Sequence, residues 1–403
     1  MSVSDSELDE ILTRGVAEII EKESLRERLG SGKELRLKQG FDPSRPHLHL
    51  GSAVGLRKLS KLQSLGHQVV LVVGDWTARI GDPSERDETR PRLTSAEVRD
   101  NAQTYLEQFS RIVDLDRTEV RWQSEWYGDF DLKAVFDLAG RFTLAQMLAH
   151  ETFRTRYEKG QPISLLELLY PLLQAYDSLA IEADVEFGGT DQKFNNLMGR
   201  TLQSSLGAEP QEVFLVPLIP GTDGRKMGKS FLNTIDILSP PEDMYGKIMS
   251  VADEVMPTYY ETLTDVPLAE LATIQSEMAS AELNPRDAKM RLAREIVSQF
   301  HGSGAAEGAE AEFVRVFGEG EWPSDAPVHA LEAGRTYPLG ELLVEAEVVS
   351  SKSEWRRLVG QGGVRVGVDR IDDPNYTVKL KRGAILQVRI GKRRFRTLQG
   401  GAE

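Results

Sequence analysis

A glycine-containing turn with histidine and serine side chains, residues 40–52, carries groups well suited to binding phosphate. His49 and Ser52 can donate hydrogen bonds to phosphate oxygens, and Gly51 leaves room for a flat group against the backbone. A short apolar strand at 35–37 precedes the turn and a helical pattern follows it, so the free N–H groups of the helix face the turn. This layout is typical of a phosphate-binding corner in a parallel α/β sheet.

A second polar stretch, residues 221–230, contains three glycines together with Lys226 and Lys229. Lysines are point charges on flexible stems, and they suit a mobile loop that closes over a polyphosphate. An ordinary basic surface loop has the same composition, so the stretch alone does not decide between the two interpretations. The spacing of Gly224 and Gly228 rules out a P-loop.

Three polar residues recur at helical spacing in an otherwise apolar stretch. Tyr170, Gln174 and Asp177 are separated by four and three residues, which puts them on one face of a helix predicted over 163–179. Leucines surround them, so a water-facing stripe is the weaker alternative, and buried polar groups need partners such as a polar ligand. The later stretch 188–192, Gly-Gly-Thr-Asp-Gln, lets a ligand approach the backbone, although this signal is weak by itself.

Short runs rich in apolar residues predict the parallel strands that must position these turns, and the run at 69–73 is continuously apolar, as expected of a buried strand. The predicted strands are 35–37, 69–73, 120–122, 184–187 and 213–218. A helix with leucines at every third position joins the first two strands and ends at Gly66, which gives a βαβ unit. Another polar turn, which contains Asp82, follows the second strand. Because ligand sites lie at the carboxyl ends of parallel strands, these turns should open on one crevice.

Length and composition divide the 403-residue chain into three predicted domains. The first, 1–235, is an α/β domain with a Rossmann-type parallel sheet and a helical insertion near 120–170. Residues 236–325 are predicted to be helical, and residues 337–403 are predicted to form a small α+β module. The stretch 318–338 contains three prolines and alternating charges, and it is predicted to be a linker.

The C-terminal module differs in charge from the rest of the chain. The net charge of the whole chain is −14, whereas residues 337–403 carry 13 basic and eight acidic residues, a net charge of +5. Between Lys379 and Arg396 there are eight basic residues and no acidic one. A basic patch confined to one end of an acidic protein suggests recognition of a phosphate backbone, while a solvated basic tail is supported equally by these residues alone.

Composition also excludes several classes of protein. The chain has no cysteine, which excludes disulfides, thiolate nucleophiles and cysteine-ligated metals. The six histidines show no metal-ligand spacing, so we predict no protein-bound structural metal. The acidic N-terminus lacks the features of a signal peptide and no apolar run could span a bilayer, which predicts a soluble cytoplasmic protein without a membrane partner.

The order of these motifs resembles that of class I aminoacyl-tRNA synthetases, and closely that of the bacterial tyrosyl-tRNA synthetases. The motifs are His-Leu-Gly, Ile-Gly-Asp-Pro-Ser, Tyr-x3-Gln-x2-Asp, Gly-Gly-Thr-Asp-Gln and Lys-Met-Gly-Lys-Ser. The similarity covers residues 40–91, 170–260 and 337–398, and the last of these resembles an RNA-binding domain shared with a ribosomal small-subunit protein. The resemblance implies a Rossmann-type catalytic domain, a helical anticodon-binding domain and a C-terminal RNA-binding domain.

The family's site residues carry over onto the matching positions of this chain. The residues implied to act in catalysis are His49, Ser52, Lys226 and Lys229. Those implied to bind ATP are Gly51, Gly189, Asp191, Lys226 and Lys229. Those implied to bind tyrosine are Thr77, Asp82, Tyr170, Gln174, Asp177 and Gln192, with Asp82, Tyr170 and Gln174 around the ammonium group and Asp177 accepting the phenol. Those implied to bind RNA are Lys379, Lys381, Arg382, Lys392, Arg393 and Arg394.

The resemblance also implies a reaction. Tyrosine and ATP give tyrosyl-adenylate and pyrophosphate, and the tyrosyl group then passes to the 3′ end of tRNA(Tyr). Mg²⁺ accompanies the nucleotide, and the enzyme is a homodimer. Because the attacking carboxylate is already ionised, the chemistry requires positioning and positive charge near the phosphate rather than a general base.

Three positions depart from the family pattern, and at one of them Gly228 replaces a serine, a change that other members tolerate. Ser52 occupies the position of the family's second histidine; its hydroxyl can donate to a phosphate but cannot carry charge. Lys38 occupies the position where some members have a second phenol-binding tyrosine, which leaves Asp177 as the main candidate for hydroxyl recognition. Lys38 could instead balance the buried charge of Asp177.

Three other functions fit part of the sequence. A tryptophanyl-tRNA synthetase shares the motifs, but Asp177 two turns from Tyr170 and the C-terminal module favour tyrosine. A catalytically inactive RNA-binding protein on a synthetase scaffold would fit Ser52, whereas the two lysines of the 221–230 stretch argue against it. A small nucleotidyltransferase would share the turn at 40–52 but would not need the basic module.

Overall fold

A computed structural model of the chain describes residues 4–85, 93–228, 231–319, 321–323, 326–391 and 394–401. The chain divides into two compact units, Met1–Glu310 and Ala311–Glu403. The predicted boundary between a catalytic and a helical domain, at 235/236, lies inside the first unit and stays a prediction. The predicted start of the third domain at 337 also stays a prediction, since the second unit begins earlier.

A mixed sheet forms the centre of the first unit. Its strands are β1 Glu18–Ile20, β2 Arg36–Phe41, β3 Gln68–Val73, β4 Thr118–Trp122, β5 Val185–Gly189 and β6 Glu212–Val216. Their order in the sheet is β1-β6-β5-β2-β3-β4, with β2 to β6 parallel and β1 antiparallel to β6 at the edge. The chain runs from β2 outward through β3 to β4, and from β5 to β6 on the other side. The topological switch point therefore lies between β2 and β5.

The predicted Rossmann-type parallel sheet is confirmed, with small shifts in the strand bounds. The apolar runs of β3 and β6 are buried on both faces, as expected of parallel strands covered by helices. Strand β2 continues to Phe41, so Gly40 belongs to the strand and not to the turn. The edge strand β1 was not predicted, because it is three residues long and only partly buried.

Helices cover the sheet and continue beyond it. Those up to β6 are α1 Asp5–Ile11, α2 Lys22–Gly30, α3 Leu50–Ser64, α4 Thr77–Ile80, α5 Ser95–Ala102, α6 Tyr105–Ser110, α7 Ser124–Tyr127, α8 Leu132–Ala139, α9 Leu144–Met147, α10 Glu151–Glu158, α11 Tyr170–Ala180 and α12 Lys193–Ser205. Those after β6 are α13 Pro241–Ile248, α14 Met256–Leu263, α15 Leu268–Ala279, α16 Pro285–His301 and α17 Ser303–Phe313. Helices α7 to α10 lie between β4 and β5 in the chain, where the sequence predicted a helical insertion.

Two helices begin at other residues than the sequence pattern predicts. Helix α3 begins at Leu50, directly after the N-cap His49, so the end of the predicted turn is already helical. Helix α11 begins at Tyr170, and the preceding residues 167–169 form a 3₁₀ turn. Pro171 fixes this start, because proline is accommodated in the first turn of a helix. The expectation that the whole leucine-rich stretch is buried is wrong at Leu165, which is 81% exposed.

The second unit contains a small sheet, a strand pair and two helices. Its elements are β7 Val328–Leu331, β8 Thr336–Pro338, α18 Leu339–Glu345, α19 Lys352–Gly360, β9 Val364–Val366, β10 Asp369–Arg370, β11 Thr377–Lys379, β12 Ile385–Ile390 and β13 Arg394–Gly400. The sheet order is β10-β9-β12-β13-β7, and β11 pairs with β8. The predicted α+β class is confirmed, but the linker predicted over 318–338 is wrong in its second half, because β7 and β8 lie there. Trp355 of α19 is buried in the core of this unit.

Among the helices in the described ranges, none combines the length and the apolar character needed to cross a membrane.

Candidate active site

The polar segments predicted to bind ligands follow three neighbouring parallel strands. The turn after β2 leads into α3, β3 is followed by α4, and β5 runs into the segment 188–192. Because the carboxyl ends of parallel strands lie at one edge of a sheet, these segments meet beside the switch point between β2 and β5. This edge is the candidate active site.

His49 and Gly51 are arranged as one unit at the start of α3. A Cβ atom at Gly51 would lie 2.9 Å from both Cε1 and Nδ1 of the His49 imidazole. The side chain of His49 thus lies against Gly51, and the role of Gly51 in binding ATP stays a prediction. Ser52 lies in the first helical turn, with its backbone N–H donating to the His49 carbonyl at 2.8 Å.

Residues 221–230, which contain Lys226, are called the lysine loop. Backbone hydrogen bonds join the turn at His49 to the segment that follows this loop. Leu50 N–H donates to the Ile235 carbonyl at 2.9 Å, and Ile237 N–H donates to the Leu48 carbonyl at 3.0 Å. His49 and Asp236 form the antiparallel bridge between these bonds. The two turns that are far apart in the sequence are thus neighbours in the fold.

Lys226 forms an ion pair with a second predicted site residue. Its Nζ lies 2.5 Å from Oδ2 of Asp191, and the two side chains are 38% and 18% exposed. The predicted ATP-binding residues Lys226 and Asp191 are therefore brought together. Gly189 allows this arrangement, since a Cβ there would lie 2.6 Å from Asp191 Oδ1. The predicted residue Lys229 lies outside the described residues.

Asn233 anchors the lysine loop and was missed by the sequence analysis. Its Oδ1 accepts from Gly228 N–H at 2.9 Å, and its Nδ2 donates to Asp223 Oδ1 at 2.6 Å and to the Lys226 carbonyl at 3.0 Å. The hydrogen bond from Asn233, together with those from Arg225, lowers the pKa of the Asp223 carboxyl to about 2. A buried amide that holds both ends of a loop leaves no pattern in the local sequence.

Asp42 connects two of the predicted tyrosine-binding residues. Its Oδ1 lies 2.6 Å from the Thr77 hydroxyl, and its Oδ2 accepts from the Tyr170 hydroxyl at 3.0 Å. Gly74 makes room for this contact, because a Cβ there would lie closer than 2.5 Å to Asp42 Oδ1. Asp42 was part of the turn singled out in the sequence, and its place directly after a strand could have indicated a role.

Asp177 is buried in α11 among hydrogen-bond donors. Its Oδ2 accepts from Gln123 Nε2 at 2.7 Å, and its Oδ1 lies 3.1 Å from both Trp126 Nε1 and the Tyr127 hydroxyl. Burial raises the pKa of Asp177 to about 7, although the charge of Lys38 and the hydrogen bonds lower it in part. A carboxylate offers about four acceptor positions, so it can accept a further hydrogen bond from a ligand.

Gln123 joins Asp177 to the turn after β3. Besides its bond to Asp177, its Oε1 accepts from the Thr77 N–H at 2.9 Å and from the Trp76 N–H at 3.1 Å. Gln123 was not predicted as a site residue. It nevertheless follows the predicted strand 120–122 directly, and strand ends carry ligand-binding groups in such sheets.

Asp82 and Gln192 form a separate polar contact. Asp82 Oδ2 accepts from Gln192 Nε2 at 2.6 Å, and its Oδ1 accepts from Ser84 N–H at 2.8 Å. The structure thus pairs Asp82 with Gln192, whereas Tyr170 faces Asp42. Gln174, the third residue predicted around the ammonium group, donates from Nε2 to Glu186 and to Asn196, both at 3.1 Å.

Lys38 has a carboxylate partner other than Asp177. Its Nζ lies 2.9 Å from Glu186 Oε1, and both side chains are almost fully buried, at 0% and 1% exposed. Lys38 therefore pairs with the buried charge of Glu186, whereas the sequence suggested the charge of Asp177, whose pKa Lys38 also lowers.

The predicted RNA-binding residues differ in their surroundings. Lys379, Lys381 and Arg382 are exposed at the end of β11 and in the following turn. Arg394 contacts the protein instead, with Nη1 3.0 Å from Glu354 and 2.7 Å from the Val348 carbonyl. The predicted residues Lys392 and Arg393 lie outside the described residues.

The chain is similar to known proteins along nearly its full length. Residues 31–318 match the model of the class I tRNA synthetases (W and Y), and residues 338–383 match that of the S4 domain. A protein of Dehalococcoides mccartyi named tyrosine–tRNA ligase is 52% identical over 98% of this chain and 99% of its own. One of Thermotoga maritima with the same name is 49% identical over 97% of each chain.

Solved structures share the fold. A C-terminally truncated mitochondrial tyrosyl-tRNA synthetase of Aspergillus nidulans has a TM-score of 0.64 at 22% identity, covering 77% of this chain and 94% of its own. A tyrosyl-tRNA synthetase of Archaeoglobus fulgidus complexed with L-tyrosine has a TM-score of 0.61 at 21% identity. The match covers 76% of this chain and 100% of the other. At these identities the likeness shows the fold alone.

The parallel sheet, the polar turns at its carboxyl edge and the match over 31–318 define the class: the chain belongs to the class I tRNA synthetases of the tryptophan and tyrosine family. It is an aminoacyl-tRNA synthetase with a C-terminal RNA-binding S4 domain. Within that family it groups with the bacterial tyrosine–tRNA ligases, which match it at 43–52% identity over nearly their full length. The predicted family is thereby confirmed.

Proposed function

We propose that this synthetase activates tyrosine with ATP, giving tyrosyl-adenylate and pyrophosphate, and then transfers the tyrosyl group to the 3′ end of tRNA(Tyr). The observation that carries the proposal is the backbone pairing of Leu48 and Leu50 with the segment after the lysine loop. Through this pairing, His49 and Lys226 serve the same ligand. The full-length relatives named tyrosine–tRNA ligase support the same reaction.

On the ATP side, the side chains of His49 and Ser52 donate hydrogen bonds to the phosphates, the positive end of the α3 dipole favours them, and Gly51 leaves room for the imidazole. Lys226 leaves Asp191 when ATP enters and pairs with the phosphates, together with Lys229. Gly189 and Asp191 then hold the ribose. Mg²⁺ enters as part of the nucleotide substrate; among the described residues, no three histidine or carboxylate side chains are grouped as metal ligands.

During activation, a carboxylate oxygen of tyrosine forms a bond to the α-phosphorus, and the bond from this phosphorus to the bridging oxygen breaks. Pyrophosphate leaves with the electron pair. No proton has to be removed from the nucleophile. The contribution of the protein is positioning and positive charge where negative charge increases in the transition state.

On the tyrosine side, Asp82, Tyr170 and Gln174 surround the ammonium group, and Thr77 and Gln192 line the pocket. Asp177 accepts the hydrogen bond of the phenol. Phenylalanine lacks the hydroxyl, so the carboxylate of Asp177 would be buried with an unpaired acceptor when phenylalanine binds. The hydrogen bonds that already fix Asp177 support this role, because they hold its carboxylate in one orientation.

On the tRNA side, we assign phosphate-backbone contacts to the exposed basic residues of the S4 domain. Lys379, Lys381 and Arg382 have the exposure that such contacts require. Arg394 is the weakest of the predicted residues, because Glu354 already neutralises it. The cytoplasmic location inferred from the sequence stays a prediction.

A homodimer is the proposed assembly. The helical segment between β4 and β5 exposes large apolar side chains that water solvates poorly. They are Leu132 at 66%, Phe136 at 65%, Leu144 at 59% and Leu165 at 81% exposed. A second copy of the chain would cover the same patch on both subunits, as in a two-fold symmetric dimer.

Amino-acid-dependent exchange of pyrophosphate into ATP tests the function. We expect exchange with tyrosine, and rates at least a hundredfold lower with phenylalanine and tryptophan. Absence of exchange with all three amino acids would contradict the activation step, and a preference for tryptophan would contradict the assigned specificity.

A further inference from the structure

The Lys38–Glu186 ion pair lies directly under the proposed tyrosine pocket. The two residues face each other in register on the adjacent parallel strands β2 and β5, at the topological switch point. Nζ of Lys38 is 2.9 Å from Oε1 of Glu186, and neither side chain reaches solvent. Desolvating two charges is costly, and an apolar pair of similar size is often at least as stable. A role other than stability would account for the ion pair.

Lys38 forms hydrogen bonds with the turn of α11 that contains Asp177. Besides Glu186, its Nζ contacts the Gln174 carbonyl at 2.9 Å and the Ser178 hydroxyl at 2.7 Å. An ammonium group has three N–H donors, and these three partners use all of them. The side chain therefore fixes the helix turn from 174 to 178 against β2.

Glu186 fixes the side chain of Gln174. Its Oε1 accepts from Gln174 Nε2 at 3.1 Å, and Asn196 Oδ1 accepts from the same nitrogen at 3.1 Å. Both N–H groups of the Gln174 carboxamide are thereby committed to the protein. The Oε1 atom of Gln174 is then the one that can accept a hydrogen bond from a ligand's ammonium group.

We propose that Lys38 and Glu186 are positioning residues for the amino-acid substrate, which orient Gln174 toward the ammonium group and hold Asp177 at the phenol. This inference rests on the proposed function and adds a role for two residues that do not contact tyrosine. The charge of Lys38 also lowers the pKa of Asp177, opposing the effect of burial, so Lys38 favours the ionised carboxylate that accepts the phenol.

The test removes the pair without leaving one charge unpaired. In the double variant Lys38→Met/Glu186→Gln, both side chains keep their approximate volume and neither is charged. We expect the variant to fold, the Kd for tyrosine without ATP to rise at least tenfold, and the KM for ATP in pyrophosphate exchange to stay within twofold.

A control removes the ion pair of another buried lysine, which lies outside the sheet and whose carboxylate partner is exposed. Lys289 of α16 is 7% exposed and pairs with Asp253. The variant Lys289→Met/Asp253→Asn should leave the Kd for tyrosine within twofold of the wild type.

A direct measurement of tyrosine binding distinguishes failure of the positioning role from failure of the proposed function. If the wild-type protein binds tyrosine and the Lys38→Met/Glu186→Gln variant binds it equally well, the positioning role is overturned while the proposed function stands. Equal losses for tyrosine and ATP would show a purely structural pair and would also overturn it. If the wild-type protein binds no tyrosine, the proposed function fails, and the inference fails with it.

Discussion

At the scale of single residues, the site contains buried and partly buried polar groups that are already hydrogen-bonded before a ligand arrives. Asp177 is held by Gln123 and Trp126, and Tyr170 and Thr77 meet at Asp42. Such contacts fix side chains in the geometry that a ligand needs, so little reorganisation remains for the binding step.

The titration of Asp177 gives a prediction about pH. Its pKa of about 7 lies above the usual value of 3.8, so the carboxyl binds a proton as the pH falls through 7. Only the charged form is a strong acceptor for the phenol. We expect kcat/KM for tyrosine, measured by exchange at saturating ATP, to fall about fivefold from pH 7 to pH 6. The variant Asp177→Asn should show no such step, and an identical step in the variant would contradict the assignment to Asp177.

Gly51 gives a second prediction at this scale. In Gly51→Ala the new methyl group would overlap the imidazole of His49, which can swing away because it is a side chain. We therefore expect the melting temperature to change by less than a few degrees, while kcat/KM for ATP falls at least tenfold. Pyrophosphate exchange with varied ATP measures the effect.

Gly246→Ala is the matched control for Gly51→Ala. This glycine also lies in a helix, α13, but a Cβ there would meet nothing within 4 Å. Alanine should stabilise the helix by about 0.5–1 kcal/mol and leave exchange unchanged. Unchanged ATP kinetics in Gly51→Ala would show that the position of His49 is unimportant.

At the scale of elements, strand ends and one loop build the site. The carboxyl ends of β2, β3 and β5 carry the fixed groups, whereas the loop with Lys226 is attached through Asn233 and through pairing with the His49 turn. Because these contacts hold the backbone of the loop, the side chain of Lys226 can exchange Asp191 for a phosphate without unfolding of the loop.

Asn233→Ala tests the attachment of the loop. The substitution leaves Gly228 N–H and the Lys226 carbonyl without their partner, at a cost of about 1–3 kcal/mol if they stay buried. We expect the rate of adenylate formation to fall at least tenfold and the Kd for tyrosine to stay within twofold, as measured by single-turnover kinetics and equilibrium binding. A rise in the Kd for tyrosine as large as the loss of rate would contradict an effect confined to the loop.

The sequence predicted those elements whose signal is local. Apolar runs such as β3 and the glycine after α3 are visible in any short window, because burial and a left-handed cap each require particular residue types. Contacts such as those of Lys38 with Glu186 and of Thr77 with Asp42 could not be predicted, because strand register and tertiary packing bring these residues together. The start of α11 was predicted seven residues early, because leucine spacing does not show where Pro171 permits the first turn.

At the scale of the whole molecule, charge and apolar surface are divided between regions of the chain. The excess of basic residues lies in residues 337–403, and the exposed apolar side chains of α8 and α9 lie in the first unit. The first feature fits contact with tRNA phosphates, and the second fits contact with another copy of the chain.

The proposed dimer can be tested on α8. Phe136→Glu places a charge in the apolar patch, and burying it at an interface would be costly. The wild-type protein should sediment at twice the 44.9 kDa of one chain, and the variant as a monomer at micromolar concentration. The control Leu268→Glu changes a side chain that is 43% exposed in α15 and should stay dimeric. A monomeric wild-type protein would contradict the proposed assembly.

The proposed selection of tyrosine by Asp177, through acceptance of its phenol, is tested by the ratio of kcat/KM for tyrosine to kcat/KM for phenylalanine in pyrophosphate exchange. In Asp177→Asn this ratio should fall at least tenfold relative to the wild type, with the KM for ATP unchanged within twofold. If the folded variant discriminated against phenylalanine as strongly as the wild type, Asp177 would not be the group that recognises the hydroxyl.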